Sequence, residues 1–320
     1  MGKRRNLRDT ILFLELWMKR GVYSRRHIVG GVLALAAAGV GGSRLIQPLN
    51  SLFDSWSKMP NTDRMPVVFI GHGTPMSAIQ PNDWTQSWAD LGQRLPKPAA
   101  ILSISAHWLT RGGALVTASA SPAMNYDMYG FPAPLYEITY PAPGEPQLAT
   151  EIAGKLSSQL PVQGDAQWGF DHGTWVVLKY MFPKADIPVI QLSIDYSRPP
   201  AFHYELGKQL QFLRSKGVLV LGSGNVVHNL RMRPGMNNDR PFDWALDFDN
   251  AMWTRIQSGN DLEVAEFQKL GEAASLSHPS YDHFLPLLYC LGTKLDADEV
   301  KTFNDNFQWP AVSMRSFVIA

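Results

Sequence analysis

The chain alternates between unbroken apolar runs that stop at a glycine and longer stretches whose apolar residues recur every three or four positions. The clearest run is Met65-Pro66-Val67-Val68-Phe69-Ile70-Gly71-His72-Gly73-Thr74-Pro75. β-Branched and aromatic residues in series, closed by a glycine turn, predict a buried strand with His72 where it emerges. Residues 84–95 have helical spacing and end at Pro96-Lys97-Pro98. Residues 99–108 repeat the first pattern, a second buried strand with His107 at its exit. Two parallel strands joined by one helix bring their exits to the same sheet edge, which places His72 and His107 side by side.

Residues 121–146 break this rhythm. Met124, Tyr126, Met128, Tyr129, Phe131, Tyr136 and Tyr140 are interleaved with five prolines between Pro132 and Pro146. A long loop that is aromatic rather than polar either lines a pocket for a flat apolar ligand or docks on the core. Helical spacing resumes over 151–160. Trp168-Gly169-Phe170-Asp171-His172-Gly173-Thr174-Trp175 then leads into a helix reaching Phe182, capped by Asp171 or Thr174. The dipole of that helix disfavours a protonated His172 at its N-terminus.

Strands follow over 187–195 and 217–222, with an amphipathic helix over 201–216 between them. Ser223-Gly224-Asn225-Val226-Val227-His228-Asn229-Leu230 presents another histidine at a glycine-rich strand exit, on a first helical turn or in a tight loop. Helices are expected over 244–256, 262–270 and 281–290. The last is opened by His283, with Ser277-His278-Pro279-Ser280 as its cap, and a closing strand is expected over 313–319. The sum is an α/β fold: a single domain over 65–320 with a central mostly parallel or mixed sheet flanked by helices. Ligands of such sheets bind at the C-terminal edge of the strands, and the marked histidines all map there.

Composition narrows the chemistry. With 320 residues and 45% hydrophobic content the chain can bury a full core. Residues 1–44 carry nine Lys/Arg against two Asp/Glu, leaving 20 basic against 26 acidic over 45–320. A nucleic-acid surface on the folded part is therefore not expected. Cys290 is the only cysteine, so an internal disulfide and a cysteine-rich metal site are excluded. There is no internal repeat, phosphate loop, G-x-G-x-x-G or G-x-S-x-G, which removes nucleotide-binding and serine-hydrolase readings.

The N-terminus reads as an address. Ser24-Arg25-Arg26-His27-Ile28-Val29 precedes a mild Ala/Gly-rich apolar stretch over 30–40, resembling a twin-arginine signal or anchor over 1–44. That predicts a periplasmic or membrane-anchored protein exported folded by the twin-arginine machinery; a cytoplasmic protein is the alternative. Met18-Lys19-Arg20 is a more typical signal start than Met1, so residues 1–17 read as an over-long gene start. Residues 45–64 read as a linker.

Imidazole suits zinc and iron, and several neutral imidazoles around one ion with room for another ligand make a catalytic rather than a structural site. His27, His203 and His278 read as ordinary hydrogen-bonded residues. The remaining five lie in distinct motifs: His72 in Gly-His-Gly-Thr-Pro, His107 in Ser-Ala-His-Trp, His172 in Gly-Phe-Asp-His-Gly-Thr-Trp, His228 in Ser-Gly-Asn-Val-Val-His-Asn-Leu and His283 in Tyr-Asp-His-Phe-Leu-Pro-Leu-Leu-Tyr.

This ordered set, with Gly-Phe-Pro at 130–132 and Tyr-Pro-Ala-Pro-Gly at 140–144, resembles the DODA-type extradiol ring-cleavage dioxygenases. They belong to the class III extradiol superfamily together with the protocatechuate 4,5-dioxygenase catalytic subunit. The resemblance runs over 65–320 and leaves out 1–64. It implies that His72, His107 and His283 bind the metal. His228 is then either a fourth ligand, as in zinc-bound members, or the acid/base histidine. His172 binds and polarises the substrate, and His172 or His228 is the catalytic base. Two histidines and a glutamate hold iron in the wider superfamily; here His283 takes the carboxylate position, with Asp282 beside it. His278 is a weaker candidate for the pocket rim. The implied cofactor is one divalent metal, Fe(II) for dioxygenase activity, with Zn(II) able to occupy the site. The implied substrates are a DOPA-like catechol and O2, and the product is a semialdehyde. A zinc-dependent hydrolase and a non-catalytic binding protein of the same fold are the other functions the same histidines suit.

Overall fold

A computed structural model describes residues 56–232 and 240–320. The leader over 1–44 and the linker up to residue 55 lie outside them. The last residues assigned to the linker rest on the domain: Trp56 is buried, and the Thr62 N–H donates to the Ser215 carbonyl at 2.8 Å. Among the described residues no helix is long and apolar enough to cross a membrane.

The central sheet has six strands: β1 Val67–Gly71, β2 Ala100–Ser105, β3 Val189–Gln191, β4 Val218–Gly224, β5 Val300–Asn304 and β6 Ser316–Ile319. Their order is β3-β2-β4-β1-β6-β5. The first four run parallel, β6 is antiparallel to β1, and β5 is antiparallel to β6. Every residue of β1, β2 and β4 is buried, which is why each reads as a continuous apolar run rather than an alternating one.

Alternate side chains serve opposite faces. Val68, Ile70 and Ile101 pack with Trp88 and Leu91 of α1 (Asp83–Arg94) and Trp175 and Leu178 of a second helix, His172–Met181. Val67, Phe69, Leu102 and Ile104 pack on the other face with Ile152, Leu206, Phe248 and Leu288. Those four belong to the helices Pro146–Leu156, Pro200–Lys208, Asp243–Gln257 and Leu285–Gly292. The result is a three-layer α/β/α domain, its central mixed sheet flanked by helices as the sequence pattern predicts.

The structure departs from the expected boundaries for identifiable reasons. The strand expected over 187–195 divides: β3 stops at Gln191, and Ile194–Asp195 pairs separately with Leu109–Thr110. The helix expected over 201–216 ends at Lys208, and a 3-10 segment, Gln211–Lys216, leads to Gly217 at φ 73°. The helix expected over 151–160 is displaced to Pro146–Leu156, and the one expected over 281–290 to Leu285–Gly292. Each has a proline in its first turn, Pro146 at the first position and Pro286 at the second, where the missing N–H costs nothing. His283 therefore lies on the turn before its helix rather than within it.

β1 and β2 are not neighbours. β4 lies between them, pairing Gly71 with Gly224 on one side and Ser105 with Ser223 on the other. The exits bearing His72 and His107 are thus separated by two small residues.

Candidate metal centre

Those small residues let the imidazoles close over the end of β4. The Ser223 hydroxyl donates to the Gly173 carbonyl at 2.6 Å, so its oxygen accepts from His72 Nδ1–H at 2.9 Å. With the proton held on Nδ1, His72 Nε2 keeps a lone pair. It faces His107 Nε2 at 3.0 Å. His107 Nδ1 lies 3.4 Å from Asp127 Oδ2, a carboxylate that favours the proton on the Nδ1 side of that ring. His283 Nδ1 donates to Asp282 Oδ1 at 3.0 Å. One donor atom from each of His72, His107 and His283 falls within 4.8 Å of the others.

The backbone is held as tightly as the rings. His72 N–H donates to the Gly224 carbonyl at 3.0 Å. Fully buried Asn225 donates from Nδ2 to the His72 carbonyl at 2.6 Å and to the Ser313 carbonyl at 2.8 Å. Its own N–H donates to the His283 carbonyl at 2.8 Å, so one residue ties down two of the three histidines. Glycine is required beside them: a Cβ at Gly224 would sit 2.1 Å from the His283 carbonyl oxygen.

His172 opens its helix with Asp171 as N-cap, whose side chain accepts from the Thr174 N–H. The His172 ring is 3.8 Å from that of His107, centroid to centroid, and Nδ1 donates to Asp127 Oδ2 at 2.9 Å. His228 lies in a loop bridged to Val312, its ring stacked on His283 at 3.5 Å and 8°. Its donor atoms group with Asp282 and His283, not with His72 and His107. All five marked histidines therefore line one cavity of about 400 Å³. Its walls include Met128, Tyr129 and Phe131 from the aromatic loop, together with Leu230, Trp309 and Val312. Both readings of that loop are realised: Met128, Tyr129 and Phe131 line the cavity, while Leu135 and Tyr140 are buried in the core with Tyr126 and Tyr136 packed against it. His278 is buried away from the rim, its Nε2 donating to the Val226 carbonyl at 2.7 Å, and His203 bonds Tyr289 at 3.0 Å.

Burial, and then the mutual repulsion of the imidazoles, holds His72, His107 and His283 well below the ordinary histidine range. Burial lowers His228 as well. Burial raises Asp127, but the hydrogen bond from His172 and the charges of His172 and His107 outweigh it and keep this carboxyl below its usual range. Asp171 is pushed up to about 6, by burial first and then by the charge of Asp127.

Neutral imidazoles with converging lone pairs are metal ligands. Two nitrogens each about 2.1 Å from one ion, at about 90–110°, stand roughly 3.0–3.4 Å apart. The His72–His107 separation of 3.0 Å meets that. Ser223 and Asp282 hydrogen-bond Nδ1 of His72 and His283, and Asp127 lies beside Nδ1 of His107, the kind of outer contact that orients metal-binding histidines. Sequence reasoning missed Asp127, Ser223 and Asn225. Only Asp127 carries a local signal, being the sole acid between Ser121 and Tyr136.

Residues 66–315 match the family model described as the catalytic LigB subunit of aromatic ring-opening dioxygenase. A 4,5-DOPA dioxygenase extradiol of Escherichia coli (strain K12) is 42% identical over 262 residues, covering 81% of this chain and 96% of that protein. Another of the same description from Beta vulgaris is 36% identical over 257 residues, covering 78% and 95%. The crystal structure of an uncharacterized Escherichia coli K12 protein superposes with a TM-score of 0.70 at 39% identity, over 80% of this chain and 100% of that one. The histidine motifs, the converging imidazoles and a match spanning nearly the whole described domain lead to one conclusion: the chain belongs to the LigB family, as a DODA-type class III extradiol dioxygenase.

Proposed function

We propose that this protein cleaves a DOPA-like catechol in the extradiol mode, with both atoms of O2 entering a semialdehyde product, and that it uses Fe(II) to do so. The observation that carries the reading is the facing Nε2 pair of His72 and His107, 3.0 Å apart in a cavity walled by aromatic side chains. His72, His107 and His283 are the residues that would hold the metal. When bound, Fe(II) supplies the electron transfer between a spin-paired catechol and triplet O2 that redox-inert Zn(II) does not.

The remaining work falls to side chains. His172 has its Nδ1–H committed to Asp127, so Nε2 is the atom that takes a proton from a catechol hydroxyl. His228, stacked on His283 beyond the ligand group, is the second proton carrier and returns a proton as the ring opens. Met128, Phe131, Trp309 and Val312 hold the ring and keep water from its faces.

The test is O2 uptake by anaerobically Fe(II)-loaded protein with 3,4-dihydroxyphenylalanine and a panel of other catechols. One O2 consumed per catechol, with a yellow product, is expected. No uptake with any catechol defeats the proposal, and turnover with Zn(II) in the absence of O2 would replace it with a hydrolase.

We also propose that residues 18–44 direct folded export through the twin-arginine route, on the strength of Arg25-Arg26 before the Ala/Gly-rich stretch. A reporter fused to residues 18–50 should reach the periplasm, and lysines in place of both arginines should stop it. Export that survives this change refutes the route.

A further inference from the structure

Asp127 reaches two of the cavity's imidazoles at once. Its Oδ1 accepts the backbone N–H of His172 at 2.8 Å, and its Oδ2 accepts His172 Nδ1–H at 2.9 Å and lies 3.4 Å from His107 Nδ1. The His172 N–H is in the first turn of its helix, where no intrahelical acceptor exists. Asp127 satisfies that donor from a different element and in doing so fixes the ring beside it. His172 is left with Nε2 as its free lone pair, and the same carboxylate beside His107 Nδ1 favours the proton on that side of the second ring.

The position of Asp127 in the chain adds a second link. Met128, Tyr129 and Phe131, the next residues along the loop, are cavity wall. The loop is pinned by Tyr126 Oη donating to the Ile138 carbonyl at 2.7 Å and by the Phe131 N–H donating to Tyr136 Oη at 3.3 Å. A ligand that presses on Met128 or Tyr129 therefore bears directly on the residues next to the shared carboxylate.

We propose that Asp127 is a positioning residue that sets the tautomers of His107 and His172 together, so that the loop receiving the aromatic substrate also aligns a metal ligand and the base. The role of His172 as base rests on the ring-cleavage reading; the tautomer assignment does not. Asp127→Asn tests it, since it keeps the size of the side chain and the acceptor for the His172 N–H. Its amide N–H2 would face His172 Nδ1 and drive the proton to Nε2.

Long-range 1H–15N spectra of the full-length, Zn(II)-loaded protein read the tautomers without any turnover. His107 and His172 should both carry the proton on Nδ1 in the parent protein, and His172 should carry it on Nε2 in the variant. Zn(II) affinity, measured against a competing chelator, should fall about 10- to 100-fold through the His107 contact. With Fe(II) and 3,4-dihydroxyphenylalanine, kcat should fall about 100- to 10,000-fold, with KM within about threefold. A parent His172 protonated on Nε2, or a variant with unchanged kcat, overturns the proposal. If the parent protein turns over no catechol, only the ring-cleavage reading falls, and the parent spectrum still decides the role of Asp127 even should the variant fail to fold.

Discussion

Replacing Asn225 should damage the metal centre through hydrogen bonds alone. The side chain is fully buried and donates to the carbonyls of His72 and Ser313, at 2.6 and 2.8 Å. Asn225→Ala takes the donor from both, and a buried acceptor left without one costs about 1–3 kcal/mol, so the pair loses roughly 2–6 kcal/mol. That is a large part of the ~5–15 kcal/mol that holds a domain together. The backbone N–H to the His283 carbonyl survives in either variant, so the loss belongs to the side chain. Asn225→Asp should be worse than Asn225→Ala despite its closer shape, because it sets a buried charge against two carbonyl oxygens. The assay is urea unfolding of the metal-stripped protein followed by tryptophan fluorescence, with Zn(II) affinity measured separately. Both variants should unfold at lower urea and bind Zn(II) about 10- to 100-fold more weakly, as loss of outer contacts to a ligand does. The reasoning fails if stripped Asn225→Ala lies within about 0.5 kcal/mol of the parent protein, or if Asp is tolerated better than Ala.

Other expectations follow from the same packing. Gly224→Ala puts a methyl 2.1 Å from the His283 carbonyl oxygen, a backbone atom that cannot swing aside, and should cost about 1–3 kcal/mol and abolish Zn(II) binding; calorimetric titration showing parental affinity would mean that the turn yields. His228→Ala should keep stoichiometric Zn(II) while losing turnover, whereas His72→Ala should lose the metal; metal loss in both would make His228 a ligand. His203 and His278 are lowered to about 4 by burial, so the unfolded chain protonates first and stability falls as pH drops from about 6.5 towards 4. Each contributes about 3 kcal/mol of that loss by pH 4. Urea midpoints of stripped protein that stay flat between pH 7 and 5 would contradict it, and His278→Gln should shallow the slope.

What the sequence determined by itself was local. Unbroken apolar runs ending at Gly71 and Gly222 can be little but doubly buried parallel strands, and a histidine just beyond such an exit has to face the strand-end crevice. That logic delivered the helix-flanked sheet and the strand-exit histidines His72, His107 and His228, while His172 and His283 stood out by their own motifs at helix starts. It could not deliver β5, an edge strand whose Lys301 and Thr302 are exposed and whose pattern is too polar to stand out. Nor did it give the starts of the helices at Pro146 and Leu285, where a single proline overrode the periodicity. Strand order was beyond it as well. Nothing within residues 67–105 says that β4, more than a hundred residues later, will lie between β1 and β2 and bring Ser223 under His72. The partners that fix the imidazoles, Asp127, Ser223 and Asn225, are polar residues whose meaning depends on which donor or acceptor the fold sets opposite them. Hydrogen-bond satisfaction is a property of neighbours in space, so only the tertiary structure decided which histidines face one another and which nitrogen each one offers.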